Sequence, residues 1–182
     1  MPRSMGNPLW APWRMEYILS KKGGSCVFCG IEAAPPEELR ARLVVCDTPR
    51  AFVVLNRYPF AAAHLLVVPH AHVDALEKLS HEDHHALFDL VREATVRLRA
   101  AVKPEGLNVG LNLGAAAGAG IAEHLHAHIV PRWSGDTNFM PVLADVRVVP
   151  QALEKTRDYL VPFFADLPGV RLPAASEGAG TP

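Results

Sequence analysis

The stretch EHLHAHIVPRW, residues 123–133, sets histidines at 124, 126 and 128 in strict alternation with Leu125, Ala127 and Ile129. A period of two is that of a β-strand, whose side chains point alternately to opposite faces. A strand over 125–130 with His124 at its entrance puts the three imidazoles on one face and the three apolar side chains on the other. Each buried ring needs polar partners. Three histidines in this pattern therefore point to function rather than to filling. Spacing limits the chemistry as well. Neighbouring rings stand about 6.6 Å apart along a strand and the outer two about 13 Å, whereas zinc–nitrogen bonds are about 2 Å. A single ion held by all three is a poor fit, and separate tasks for the rings are expected.

The rest of the chain alternates between strand and helix signals. Val-rich runs at 42–47 (RLVVCD) and 51–56 (AFVVLN), joined by TPR, read as a hairpin. HLLVVP at 64–69 is a third strand and LNVGLNL at 107–113 a fourth. Between them, over 80–102, Leu87, Leu90, Val91, Ala94, Leu98 and Ala101 recur at spacings of three and four, which predicts a helix. Ser80 and Asp83 form its N-cap signal, and Pro104 and Gly106 end it. A last helical stretch follows Pro150. Consecutive strands joined by short turns pair antiparallel, so the expected class is α+β, a five-stranded antiparallel sheet with packed helices. Residues 1–25 form an arm whose Trp10, Trp13, Tyr17 and Ile18 are expected to pack on the domain or a partner subunit. The domain is expected over 26–165 and a flexible tail over 166–182.

Bulk properties exclude several classes. A chain of 182 residues with net charge −1 fits one domain and lacks the footprint of a nucleic-acid binder. Its apolar runs fall well short of the roughly 20 residues that span a bilayer, and the N-terminus has no apolar signal region. Three cysteines, two of them as Cys26-Val27-Phe28-Cys29, fit a reducing cytoplasm. The pair reads as half a zinc site, a redox pair or two small core residues. The redox reading lacks a βαβ context. Cys46, in a Val-rich strand, reads as core, and His70, His81, His84 and His85 have ordinary explanations.

NLGAAAGAG, residues 112–120, has three glycines and no bulky side chain, so its backbone N–H groups can approach an anion closely. Its place directly before the histidines makes it a candidate phosphate cradle. Asn56 reads either as a turn residue before RYP or as a ligand-binding amide.

The pattern His-apolar-His-apolar-His-apolar-apolar over 124–130, preceded by AFVVLNRYPFAAAHLLVVPHAHVD, resembles the histidine triad (HIT) superfamily of nucleotide hydrolases and transferases. LWAPWRMEYI, CVFC and PRWSGDTNFMPV are similar to its bacterial branch of diadenosine tetraphosphate phosphorylases and hydrolases, and the likeness runs in order over about residues 9–165. The resemblance implies a HIT-like dimeric fold and His126 as nucleophile on the α-phosphorus, with His128 and His64 serving the phosphates or the nucleophile. It implies Asn56 at the ribose, Asn112, Gly118 and Gly120 near the phosphates, and structural zinc on Cys26, Cys29, His72 and His124. The implied substrate is a nucleotide or dinucleoside polyphosphate. The acceptor is either water or inorganic phosphate as co-substrate. Gly120 stands where many HIT enzymes carry Gln, Ser or Thr, so only backbone serves there and the acceptor stays open. Ala63 stands where a glycine is usual. A zinc- and nucleotide-binding module without turnover is the alternative.

Overall fold

The computed structural model describes residues 26–136 and 152–175. The expected aromatic arm over 1–25, the segment 137–151 and the part of the expected tail beyond 175 lie outside the described residues. Residues 166–175 of that tail instead pack on the domain, with Leu167 buried and Arg171 bridged to Asp47. Five strands form one antiparallel sheet in the order β1-β2-β3-β5-β4. They are β1 (Val44–Asp47), β2 (Ala51–Leu55), β3 (Leu65–Pro69), β4 (Gly106–Leu111) and β5 (Ala127–Arg132). The expected α+β class and strand count are those observed. The hairpin turn between β1 and β2 is closed by Thr48, whose N–H and hydroxyl both donate to the Ala51 carbonyl at 2.9 and 2.6 Å.

Strands β1, β2 and β3 are buried along their whole length. That explains why they read as unbroken apolar runs instead of alternations. Helix α2 (His81–Val102), between β3 and β4 in the chain, packs on β2, β3 and β5. Its six periodic apolar residues are all buried. The Ser80 hydroxyl accepts the Asp83 N–H at 3.0 Å, as its spacing predicts for an N-cap. Lys103, in the left-handed region at φ +46°, caps the other end by donating its N–H to the Arg99 carbonyl. Two shorter α-helices lie among the described residues: α1 (Pro36–Ala41) and α3 (Leu153–Leu160). Helix α1 escapes periodicity because it is too short, but it carries a proline start followed by Glu37 and Glu38 in its first turn. No helix among the described residues is long and apolar enough to cross a membrane.

The histidine segment differs in one respect from its sequence reading. Strand β5 begins at Ala127 and not at Leu125, so only His128 lies within it. His124, Leu125 and His126 run just ahead of the ladder because the Leu125 N–H donates to the Val73 carbonyl at 2.6 Å. That bond binds the histidine segment to the loop after β3.

A polar knot closes the β1 edge. Asp47 and Arg171 exchange backbone hydrogen bonds of 2.9 and 2.7 Å, and the Arg171 guanidinium lies 3.1 Å from the buried Asp47 carboxylate. His70 Nε2 sits 2.9 Å from the other carboxylate oxygen and donates to the Thr48 carbonyl. Burial alone would lower the His70 pKa, but these bonds to Asp47 and Thr48 outweigh it and hold it above the usual imidazole value.

Leu98 is 0% exposed under the sheet while Val96, two residues earlier on α2, is 57% exposed. Leu98→Ala should cost about 2–5 kcal/mol, and Val96→Ala less than about 0.5 kcal/mol. Urea unfolding of the two variants measures the contrast.

Candidate active site and metal centre

His124 is fully buried and its ring is held from both sides. Nε2–H donates to the Pro69 carbonyl at 2.9 Å, which leaves Nδ1 as the lone pair. That atom lies 3.2 Å from His72 Nδ1, 3.3 Å from Cys26 Sγ and 3.8 Å from Cys29 Sγ. Cys29 Sγ is in turn 3.2 Å from His72 Nδ1. All four ligand atoms fall within 4.8 Å of one another. A tetrahedron with metal–nitrogen bonds of about 2.05 Å and metal–sulfur bonds of about 2.3 Å has nitrogen–nitrogen edges near 3.3 Å and nitrogen–sulfur edges near 3.6 Å. The cluster fits a metal ion without rearrangement. Desolvation and the neighbouring Cys26 raise the Cys29 pKa. A bound cation would reverse that by favouring the thiolate. The sequence-predicted set Cys26, Cys29, His72 and His124 is therefore brought together as one group.

His126 belongs to a different arrangement. Its Nδ1–H donates to the backbone carbonyl of His124 at 2.8 Å, so the proton is fixed on Nδ1 and the lone pair on Nε2. Burial holds its pKa below the usual imidazole value, which keeps that lone pair available at neutral pH. The Phe28 ring touches both His124 and His126, with centroids at 5.5 and 5.4 Å.

A third arrangement joins the two remaining candidates. His64, immediately before β3, accepts the Phe60 N–H on Nδ1 at 3.1 Å, and the Asn56 amide lies 3.3 Å from the same nitrogen. The His64 proton is therefore on Nε2, which donates to His128 Nδ1 at 3.0 Å. That in turn places the His128 proton on Nε2, a buried atom with no hydrogen-bond partner among the described residues. Buried donors are rarely left this way except where a ligand supplies the acceptor. Burial, and then the neighbouring His126 at 5.0 Å between ring centroids, pushes the His128 pKa down to about 4.

Beside these rings opens a cavity of about 590 Å³ lined by Phe28, Ile31, Phe52, Val54 and Leu66, with Asn56 among its polar groups. Leu66 lies directly opposite His128 in the ladder and Val54 opposite Leu66, so the cavity wall and the His128 ring share one face. Asn56 serves the turn as well, because its side-chain oxygen accepts the Tyr58 N–H at 2.9 Å. The turn reading of this residue is the one observed, and its side chain also lines the cavity. Asn112, Gly118 and Gly120 lie on the loop between β4 and β5. The register Gly110↔His128 and Leu111↔Ala127, continued by one residue, sets Asn112 beside His126. Gly118 takes φ +90°, a conformation that favours glycine. No hydrogen bond joins this loop to the histidines among the described residues. Ala63 occupies the left-handed region at φ +56°, which explains a glycine preference there. Cys46 is core, as expected, and burial pushes its thiol up to about 12. Sequence reasoning gave no part to Phe28, although it stands between the two metal-ligand cysteines. It also missed Arg42, which carries no motif.

The model of the HIT domain matches residues 38–135, more than half of the chain. The chain belongs to the HIT family. This HIT protein is 38% identical over 169 residues to AP-4-A phosphorylase of Mycobacterium tuberculosis, an alignment covering 88% of this chain and 85% of that one. It is 30% identical to the adenosine 5'-monophosphoramidase hnt1 of Schizosaccharomyces pombe over 59% of this chain and 74% of that one. Among solved structures, a zinc-bound histidine triad family protein from Mycobacterium smegmatis superposes with a TM-score of 0.60 at 26% identity, covering 78% of this chain and 94% of that one.

The depressed His128 pKa has a consequence for stability. An unfolded His128 titrates near 6.5 and the folded one at about 4, so the unfolded chain takes up the proton first as pH falls. The stability this residue contributes is complete above pH 6.5 and is lost between 6.5 and about 4. Melting temperature measured across that window should fall less steeply in His128→Asn than in the wild type. Parallel curves would contradict the assignment.

Proposed function

We propose that this HIT protein cleaves a phosphoanhydride of a dinucleoside polyphosphate of the diadenosine tetraphosphate type, in two steps through a nucleotidyl group on His126. The observation that carries the reading is the His126 tautomer, with Nδ1–H given to the His124 carbonyl and Nε2 left as the lone pair. Nε2 attacks the α-phosphorus, and the bond from that phosphorus to the bridging oxygen breaks. The Nδ1–H bond to the carbonyl stabilises the positive charge that the imidazole acquires. His128 Nε2–H, its proton set by the relay from Phe60 through His64, donates to the departing phosphate oxygens. The acceptor oxygen then attacks the same phosphorus. The phosphorus–Nε2 bond breaks and returns its electron pair to Nε2 to restore the neutral ring, and the acceptor's proton is released to solvent.

The cavity at Phe28, Phe52 and Leu66 holds the base by apolar contact, with Asn56 at the ribose. Asn112 and the backbone of the Gly118–Gly120 loop take the phosphates. Inorganic phosphate as acceptor is supported by the relative named for phosphorolysis. The metal at Cys26, Cys29, His72 and His124 is zinc, a role supported by the ligand geometry and by the zinc-bound relative. When bound, it supplies a structural cross-link and takes no part in the chemistry. A homodimer is supported by the outer edge of β4, which pairs with no further strand among the described residues and where Val109 is 49% exposed.

Diadenosine tetraphosphate incubated with phosphate should give ADP and ATP, and without phosphate only slow formation of AMP and ATP. AMP and ATP in both reactions would make water the acceptor. His126→Ala should abolish turnover while retaining one zinc per chain, whereas His72→Ala should lose the metal. Intact-mass analysis after quenching should find one nucleotidyl group on the wild type. A protein that binds nucleotide yet yields neither products nor adduct would be a binding module.

A further inference from the structure

The Cys26–Cys29 turn has two functional sides. Its outer residues, Cys26 and Cys29, face the metal-ligand nitrogens of His72 and His124. All four of its residues, Val27 and Phe28 between the cysteines included, line the cavity that the proposed function assigns to the nucleoside. Phe28 is buried between Phe52 of the cavity wall, at 6.2 Å between centroids, and the rings of His124 and His126. Arg42 ties the same turn to the body of the domain. Its Nη2 donates to the carbonyls of Val27 at 2.6 Å and Cys29 at 2.9 Å, its Nη1 meets Glu38 at 3.2 Å, and its side chain lines the cavity.

Few other bonds fix the turn: within it, the Cys29 N–H donates to the Cys26 carbonyl at 3.2 Å. Two sulfurs and two ring nitrogens converge within 4.8 Å at this turn, a set whose spacing a bound cation would favour. The observed conformation of these four residues serves the ligand cluster and the cavity wall at once. A ligand that selects that conformation at one side must favour binding at the other, and by linkage the effect is reciprocal.

We propose that metal and nucleoside binding are thermodynamically coupled through the Cys26–Cys29 turn, with Phe28 as the contact that transmits the coupling and Arg42 as the residue that positions it. This rests on the assignment of the cavity to the nucleoside. The metal centre is then a determinant of nucleotide affinity as well as a cross-link.

The test measures zinc affinity of the wild-type protein against a chromophoric chelator, with and without saturating AMP. Controls with AMP, zinc and chelator alone correct for zinc binding by AMP itself. AMP should tighten zinc binding by about 5-fold or more, and zinc loading should tighten AMP binding by the same factor in calorimetry. Phe28→Ala keeps all four ligands, so it should still bind zinc but lose most of that factor. Arg42→Met should weaken zinc binding, and Arg42→Lys should not restore it, because a single ammonium lacks the planar guanidinium geometry. If Phe28→Ala fails to fold, the wild-type linkage measurement still decides. AMP that binds the zinc-loaded protein without changing its zinc affinity overturns the coupling and leaves the catalytic reading intact. A zinc-loaded protein that binds no AMP overturns the coupling together with the nucleoside assignment.

Discussion

One residue, His124, joins the two halves of the site through three different atoms. Its Nε2–H is given to Pro69 at the end of β3, its Nδ1 faces the cysteines, and its carbonyl accepts the proton of His126. Each bond constrains the others. The ring cannot turn to offer the opposite nitrogen without breaking its bond to Pro69. The backbone cannot shift without misdirecting His126. The carbonyl that orients His126 belongs to the same residue whose Nδ1 faces the cysteines, so the arrangement at His126 depends on the geometry of the cysteine–histidine cluster.

The division of labour among the triad follows from the same constraint. Three rings on one segment would compete if they shared a face and a partner. Instead His124 turns to the cysteines, His126 is held by backbone, and His128 is addressed from the neighbouring strand by His64. The 64–128 pair also shows why β5 must lie between β3 and β4. Only an adjacent strand brings an imidazole within 3.0 Å of another across a sheet.

Much of this was legible in the sequence. Five strands, the long helix with its Ser80 cap and the separation of roles among the histidines follow from periodicity and spacing alone. The ligands Cys26 and Cys29 announce themselves by spacing, whereas His72 and His124 needed the family resemblance, since no local rule links positions so far apart. The start of β5 was misplaced because alternation continues through His124 and His126, while their hydrogen bonds go to Val73 and to the site. The His70–Asp47–Arg171 knot left no trace in the sequence, because it is made by residues distant in the chain whose types are common on surfaces. Phe28 and Arg42 were overlooked for a related reason. A phenylalanine inside C-x-x-C looks like spacer, and an arginine that binds backbone carbonyls has no partner residue type to betray it.

The strand order has a bearing on how the chain acquires its site. The contacts of β1, β2 and β3 close short loops, as in the pair Val54↔Leu66, whereas Leu66↔His128 closes one that contains the whole of helix α2. Loop-closure entropy favours the three-stranded meander first and the insertion of β5 afterwards. The three triad histidines thus arrive together, His128 on β5 and the other two on the segment just ahead of it, at a surface that His64 and the cavity wall already line. Within the described chain the hydrogen-bonded relay and the metal cluster are then products of one late docking event, and a newly made chain acquires them together.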